Sequence, residues 1–449
     1  MNFAPFLFAA LIWPILLRAD EWADLRAQYQ MVTVAGGFGA LSGDLNPNEW
    51  NNAEAQDALN AELSEPHFAM EDINGRIFVA DKNAHAIRRI DPDGTIHTVA
   101  GMNLNEIPGG ISNAGFNGDG PARQRLLDGP QIAYVMPDGS FYIGDSLNRR
   151  IRYVDLAGNM ATIINDTDIL SRGLWVRRDR QLIYYCTIEG TVSRLRRWTP
   201  AGGVVTVAAN FGEAGNIDVD AAGNIYVSDR TLMGVYRVPP NYGGGAMTDA
   251  LRVAGVGNQI TTDSNAASNG QMATSVGMRG ARGVAFHPLG GYFVATHRGG
   301  DVWYVDTAGR AWMFVQGDNG NTHLPGSAPV PTAGLVMSEP RSVSVGISGN
   351  VLIACNDSGY IRIVRNIAPK VVAPAWLPSS NTPAGAGLQW QSTPGKWYYL
   401  ECSTDLGSSS WQPLAWLAGT GAATSFTDTG STTASRSFYR LREFRGWPN

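Results

Sequence analysis

Arg172, Arg282 and Arg341 are the side chains of this 449-residue chain that most invite chemistry. A guanidinium presents a planar fork of donors that suits carboxylate, sulfate or phosphate. His67 and His297 are candidates for a general acid or base, because imidazole titrates near neutral pH. His85 belongs with them by type. With Gln131 and Gly215, these arginines and His67 recur at one place in a repeated pattern, so the ligand-binding set reads Arg172, Arg282, Arg341, Gln131 and His67. Three arginines and a histidine around one opening would focus positive potential on a protein whose net charge is −5. The competing expectation is that these arginines pair with Glu65, Glu339 or Asp128, each close by in the pattern.

Other chemistries find less support. GxSxG, P-loop and HExxH patterns are absent. The three cysteines, Cys186, Cys355 and Cys402, have no zinc-like spacing and are too few for a disulfide framework. Asp81, Asp145 and Asp229 each end an apolar run in the same way. That repetition predicts a structural cap on the following turn, since aspartate binds nearby backbone N–H groups. Asp119 and Asn117 offer two oxygens of a calcium loop without the remainder. No metal or other cofactor is expected.

The elements that must position these residues are strands. Charged residues make up only 16% of the chain, aromatics 10%, and there are 53 glycines, which argues against disorder and coiled coil alike. The acidic balance gives no pull toward nucleic acid. Ile77-Phe-Val-Ala-Asp81, Ala86-Ile-Arg-Arg-Ile-Asp91, Gly94 and Ile96-His-Thr-Val-Ala-Gly101 form one unit. The order returns from Phe141, from Ile225 and from Tyr292, and more weakly through 183–209 and 351–364. An earlier strand opens each copy, as in Pro66-His-Phe-Ala-Met70 and Pro130-Gln-Ile-Ala-Tyr134. Four short strands per unit is a propeller blade. The last unit lacks an outermost strand, and Met31-Val-Thr-Val-Ala-Gly36 is expected to supply it. The fold class is therefore all-β, a six-bladed β-propeller.

The pattern Pro-x-x-apolar, Ile/Phe-Tyr/Phe-Val/Ile-Ala/Gly-Asp, Ile-Arg, Asp-x-x-Gly, Thr-Val-Ala-Gly resembles the NHL-repeat family of six-bladed propellers. Gly115-Phe-Asn-Gly-Asp-Gly-Pro-Ala122 resembles the inter-blade insert of its bacterial members. The resemblance implies a scaffold fold that hosts binding proteins, lyases and hydrolases alike. The peptide-amidating lyases, similar in fold, hold zinc through histidines that follow proline, as His67 follows Pro66. Gln131 and Arg341 fill the equivalent slots here, so a three-histidine zinc site is not expected. Propeller geometry places the inserts 102–129, 256–280 and 318–339 on one loop-rich face. One residue per blade then stands at the channel mouth: His67, Gln131, Arg172, Gly215, Arg282 and Arg341.

Asn2 to Leu17 is an apolar run ending before Ala19, which reads as a signal peptide over 1–19. The propeller is assigned to 28–367, a linker to 368–387, and a small β-sandwich to 388–445, where residues alternate at period two. The order Tyr-x-Leu-Glu-x-Ser-Thr-Asp-Leu resembles a C-terminal module of secreted verrucomicrobial and planctomycete proteins. The expectation is a secreted, periplasmic or cell-surface monomer with no membrane span in the mature chain. It would bind an acidic glycan or an extracellular protein through its loop-rich face. The enzymatic alternative is a lyase or hydrolase on an anionic polysaccharide, with His67 or His297 as base.

Overall fold

The computed structural model describes residues 29–36, 54–103, 107, 112–169, 172–257, 264–287, 291–316, 330–331, 339–346, 349–355, 359–366, 380–382, 385–392, 396–403, 412–418, 421–428 and 438–445. The expected signal peptide lies outside these residues. Among them the protein is all-β, relieved only by three-residue 3-10 turns. No helix among the described residues is long and apolar enough to cross a membrane.

Among the described residues, six antiparallel sheets of four or five strands follow one another along the chain. The first runs Pro66–Glu71, Ile77–Asp81, Ala86–Ile90, Thr95–Ala100 in spatial as in sequence order. The others open with Pro130–Val135, Leu174–Val176, Ala214–Val219, Ala281–Phe286 and Pro340–Val345. The weak copy at 183–209 is a full sheet, with Val192–Thr199 pairing Gly203–Phe211. In the last sheet Tyr360–Asn366 pairs with Tyr29–Ala35, Met31 opposite Val364 and Val32 opposite Ile363. The segment at Met31 therefore supplies the strand that the sixth repeat lacks.

Local chemistry explains the regularity. In three of the sheets Asp-x-x-Gly turns, at Asp91, Asp155 and Asp306, join the third and fourth strands: the Gly94 N–H donates to the Asp91 carbonyl at 2.9 Å, and Asp91 N–H to the Thr95 carbonyl at 2.8 Å. Gly94 has φ +89°, a conformation that costs a side-chain-bearing residue energy. The core lies between the sheets, where apolar residues such as Phe78 and Phe141 meet at 5.1 Å. First strands of successive sheets pack against each other, and Pro340–Val345 also packs against Pro66–Glu71. There the Ser344 hydroxyl donates to the Ala69 carbonyl at 2.6 Å.

A second link recurs at the periphery. Gly36, Gly101 and Gly255, each following an outermost strand, donate to the carbonyls of Ala58, Ala122 and Ala273 at 3.0, 3.1 and 2.9 Å. Those alanines open the 3-10 turns that precede the next sheet. At Gly36 a Cβ would lie 2.0 Å from the Gly359 carbonyl oxygen, so only glycine fits. Short strands at Gln56–Asp57, Gly120–Pro121 and Val330–Pro331 cover three outer edges, which would otherwise expose unpaired backbone.

The C-terminal segment forms two three-stranded sheets. Leu388 and Trp390 of one share a buried cluster with Tyr398, Leu400 and Leu441 of the other. Ser380–Thr382 already pairs with Gly385–Gly387, so a strand begins inside the segment expected to be linker.

Candidate functional site: an arginine cluster at the heads of the first strands

His67, Gln131, Arg282 and Arg341 are each the second residue of a first strand, and Arg172 precedes the strand at Leu174. Small residues let the strands approach. A Cβ on Gly215 would lie 2.3 Å from the Arg282 carbonyl oxygen, and one on Gly173 2.6 Å from that of Gly215. The Ser228 hydroxyl holds the Arg282 carbonyl at 2.7 Å, and the Asn216 amide holds that of Arg172 at 3.3 Å. The Gly215 slot therefore contributes no side chain and makes room for its neighbours.

Two residues before it stands the group that organises the charge. Glu213 Oε1 accepts from Arg172 at 2.6 Å and from Arg282 at 3.0 Å, and its Oε2 accepts from Arg230 at 2.7 Å. Burial works against ionising Glu213, but Arg282 and then Arg172 outweigh it and hold the carboxyl at about 2. Arg282 is 2% exposed. Burial first, then the charges of Arg172 and Arg341, pushes its pKa down. Its Nε and Nη1 meet no acceptor among the described residues. Half-buried Arg341 adds its field to the same place, acting on Arg282, Arg172 and both histidines.

His67 is 4% exposed, and neither ring nitrogen makes a hydrogen bond among the described residues. Glu65 stands 3.8 Å from its Nε2. Burial, then Arg172, Arg341, Lys82 and Arg282, holds the imidazole well below its usual range, so it is neutral. His297 lies with Nε2 2.8 Å from the Glu339 carboxylate. Burial and then four arginines, Arg341 foremost, hold it at about 2. Glu65 and Glu339 have left-handed backbones, φ +57° and +43°, which are rare for such residues and cluster where geometry is over-determined.

The structure thus brings His67, Arg172, Arg282 and Arg341 within one another's electrostatic reach and adds His297. Gln131 stands at the matching position of the strand next to that of His67, 7% exposed, with an amide oxygen that accepts no hydrogen bond among the described residues. The pairing expected from nearby acids is different in detail. Glu65 takes Lys82 at 2.5 Å, Glu339 faces His297, and Asp128 lies 3.5 Å from His85. The His85 ring also accepts the Gly129 N–H at 3.1 Å, which gives it a structural role. Glu213 and Arg230 were not in the expected set. A signal existed: Glu213-Ala-Gly215 matches Glu65-Pro-His67 and Glu339-Pro-Arg341 in position, but lacks the proline that marks the other two.

Asp119, the calcium-loop candidate, accepts from Arg152 at 3.0 Å and from the Thr162 N–H and hydroxyl at 3.1 and 2.9 Å. Asn117 Oδ1 accepts from Leu126 N–H at 2.8 Å. Both oxygens are committed to protein. The described residues contain no group of three or more His, Cys, Asp or Glu placed to hold a metal.

No protein-family model matches the chain, and no curated protein matches it in sequence. Solved structures do match in fold. A Bacteroides thetaiotaomicron protein described as of unknown function aligns with TM-score 0.53 at 13% identity, over 75% of each chain. An auxiliary nutrient binding protein of the same organism gives TM-score 0.52 at 11% identity, over 75% of this chain and 76% of that one. Another, from Bacteroides ovatus, gives 0.50 at 14%, with the same coverages. At such identities the likeness is one of fold, and the fold is compatible with a propeller.

Proposed function

We propose that this chain is an exported, NHL-type six-bladed β-propeller over residues 28–367, followed by a small β-sandwich over 388–445. It acts as a binding scaffold that captures an acidic ligand, such as an anionic glycan, at the channel mouth. The observation that carries this reading is the charge imbalance there. Arg172, Arg230 and Arg282 share the single carboxylate of Glu213, while Arg341 adds to the same field. Burying guanidinium groups is costly unless anions and acceptors compensate them. A ligand acid group supplies the missing charge. The fold likeness to two auxiliary nutrient binding proteins supports a binding role.

A lyase or hydrolase is the second reading, and one observation favours it. His67 and His297 are held neutral beside arginines, as a base that removes a proton next to an acid group would be.

The test is a thermal-shift screen of the protein against neutral, uronic and sulfated oligosaccharides, with Arg172, Arg282 and Arg341 replaced by Ala in parallel. A ligand at a hundred times its Kd adds about 2.7 kcal/mol. Stabilisation by acidic sugars alone, lost in the triple variant, is the expected result. No shift with any acid overturns the reading. Product analysis on the bound sugar then separates binder from enzyme.

A further inference from the structure

The mouth has a second chemical pole beside the arginines. His67 and Gln131 occupy matching positions on adjacent first strands and are both almost fully buried. A neutral imidazole offers one donor and one acceptor nitrogen, and an amide oxygen is an acceptor. Neither His67 nitrogen, nor the Gln131 amide oxygen, has a partner among the described residues. Buried polar groups normally find one, and leaving them bare is unfavourable. An acceptor-only ion cannot satisfy them, because two of these three atoms need a hydrogen to accept. Hydroxyl groups can.

The arginine pole has its own preference. Glu213 shows what it grips: a planar carboxylate whose two oxygens are split between guanidinium groups, Arg172 and Arg282 on one and Arg230 on the other. Arg282 keeps Nε and Nη1 donors for a further acceptor.

Resting on the acidic-ligand reading above, we infer that the channel mouth takes a hydroxylated carboxylate of the uronic acid class. Its acid group lies against Arg282 and Arg341, and its hydroxyls face His67 and Gln131. Glu213 is the permanent counter-ion, one negative charge shared by Arg172, Arg230 and Arg282, and it leaves positive charge over for a ligand acid.

Calorimetry on the full chain with D-glucuronate, D-galacturonate, propionate, glucose and glucose 6-sulfate tests this, alongside Gln131→Leu and Arg282→Gln. The expected result is uronate binding at least about tenfold tighter than propionate, the worth of about one good hydrogen bond to a buried group. Glucose and glucose 6-sulfate bind more weakly than uronate. Gln131→Leu erases the uronate advantage over propionate, while Arg282→Gln weakens both acids. If propionate matches uronate in the parent protein, or glucose 6-sulfate binds better, the uronic acid assignment fails while the acidic site stands. If no acid binds, both fall. Circular dichroism of each variant separates lost binding from lost folding, and Gln131→Glu, which keeps shape and adds repulsion toward the ligand acid, gives a second reading of the hydroxyl pole.

Discussion

Two regions of this protein bury arginine, and they do so in opposite ways. Within the first two sheets Arg88 and Arg152 lie fully buried on third strands, near the carboxylates of Asp81 and Asp145. Those carboxylates are also tied to backbone: Asp81 accepts the Ser64 N–H at 2.6 Å and Asp145 the Asp128 N–H at 2.8 Å. Each such aspartate serves its own sheet, and an aspartate at the same position returns as Asp229 in a third sheet. At the strand heads, by contrast, Arg172, Arg230 and Arg282 converge from different sheets onto one Glu213, and no second copy of that arrangement occurs among the described residues. Repetition marks what serves the folding of a sheet, and the proposed ligand site rests on the charge that is not repeated.

The largest expected break in that comparison is Asp145→Ala. It takes from Arg152 its buried carboxylate, leaving it Asp119 and the Gly118 carbonyl, removes acceptors from Asp128 N–H and the Asn148 amide, and should cost about 3 kcal/mol in chemical denaturation. Arg282→Ala should do the reverse: uronate affinity falls tenfold or more, while stability changes by less than about 1 kcal/mol, because repulsion from Arg172 and Arg341 is relieved. A large loss of stability in Arg282→Ala would make the cluster structural.

pH sharpens the contrast. Asp81 and Asp145 are raised to about 7 and about 6, by burial first, against the pull of Arg88 and of the Asp128 N–H respectively. The folded state there binds protons more tightly than the unfolded chain, so their contribution is complete below pH 4 and fades as pH rises through 6 and 7. Glu213 runs the other way. Its contribution is present above about pH 4.5 and is lost as pH falls toward 2. Stability measured across pH 2–8 should therefore lose part of its alkaline decline in Asp81→Asn, Asp145 keeping the rest, and part of its acid decline in Glu213→Gln. The smallest effect belongs to Gly94→Ala. With φ +89° and no atom within 4 Å of a new Cβ, it should cost about 1–2 kcal/mol or less through backbone strain alone and leave binding untouched.

How much of this was legible depends on whether a residue announces itself through the repeat. The strand at Met31 did, because the last unit was one strand short. Asp81, Asp145 and Asp229 do as well, although the cap expected on the following turn is formed by backbone N–H groups at Asp229 alone. They reach back to the segment entering the sheet, to Ser64, Asp128, Gly212 and Glu213; of the three, Asp229 also accepts backbone N–H groups of the following turn, at Thr231 and Leu232, and Asp145 takes the Asn148 side-chain amide there. Residues far along the chain are brought together there, and local spacing does not encode that. Arg172 and Arg282 could be aligned from the pattern, but their partner could not. Glu213 sits in a copy whose proline is replaced by Ala214, and its ligands come from three sheets. Gln131 was identified by position, whereas its bare amide oxygen is a property only of the packed structure.

The pairing of Met31 with Val364 has a consequence for how the protein is made. The first of the described strands to emerge during synthesis has no edge to join until almost all the sheets exist. Until then the apolar face of Val32 and Val34, destined to pack beside Leu352 and Ile363, stays open to water and to other chains. Closing so long a loop is entropically slow rather than ruinous, since the cost grows only with the logarithm of length. Such non-local pairing delays folding and lengthens exposure to aggregation. Assembly of the last sheet should thus be the slow, chaperone-sensitive stage of this protein's biogenesis, and its completion the event that makes the molecule resistant to proteases.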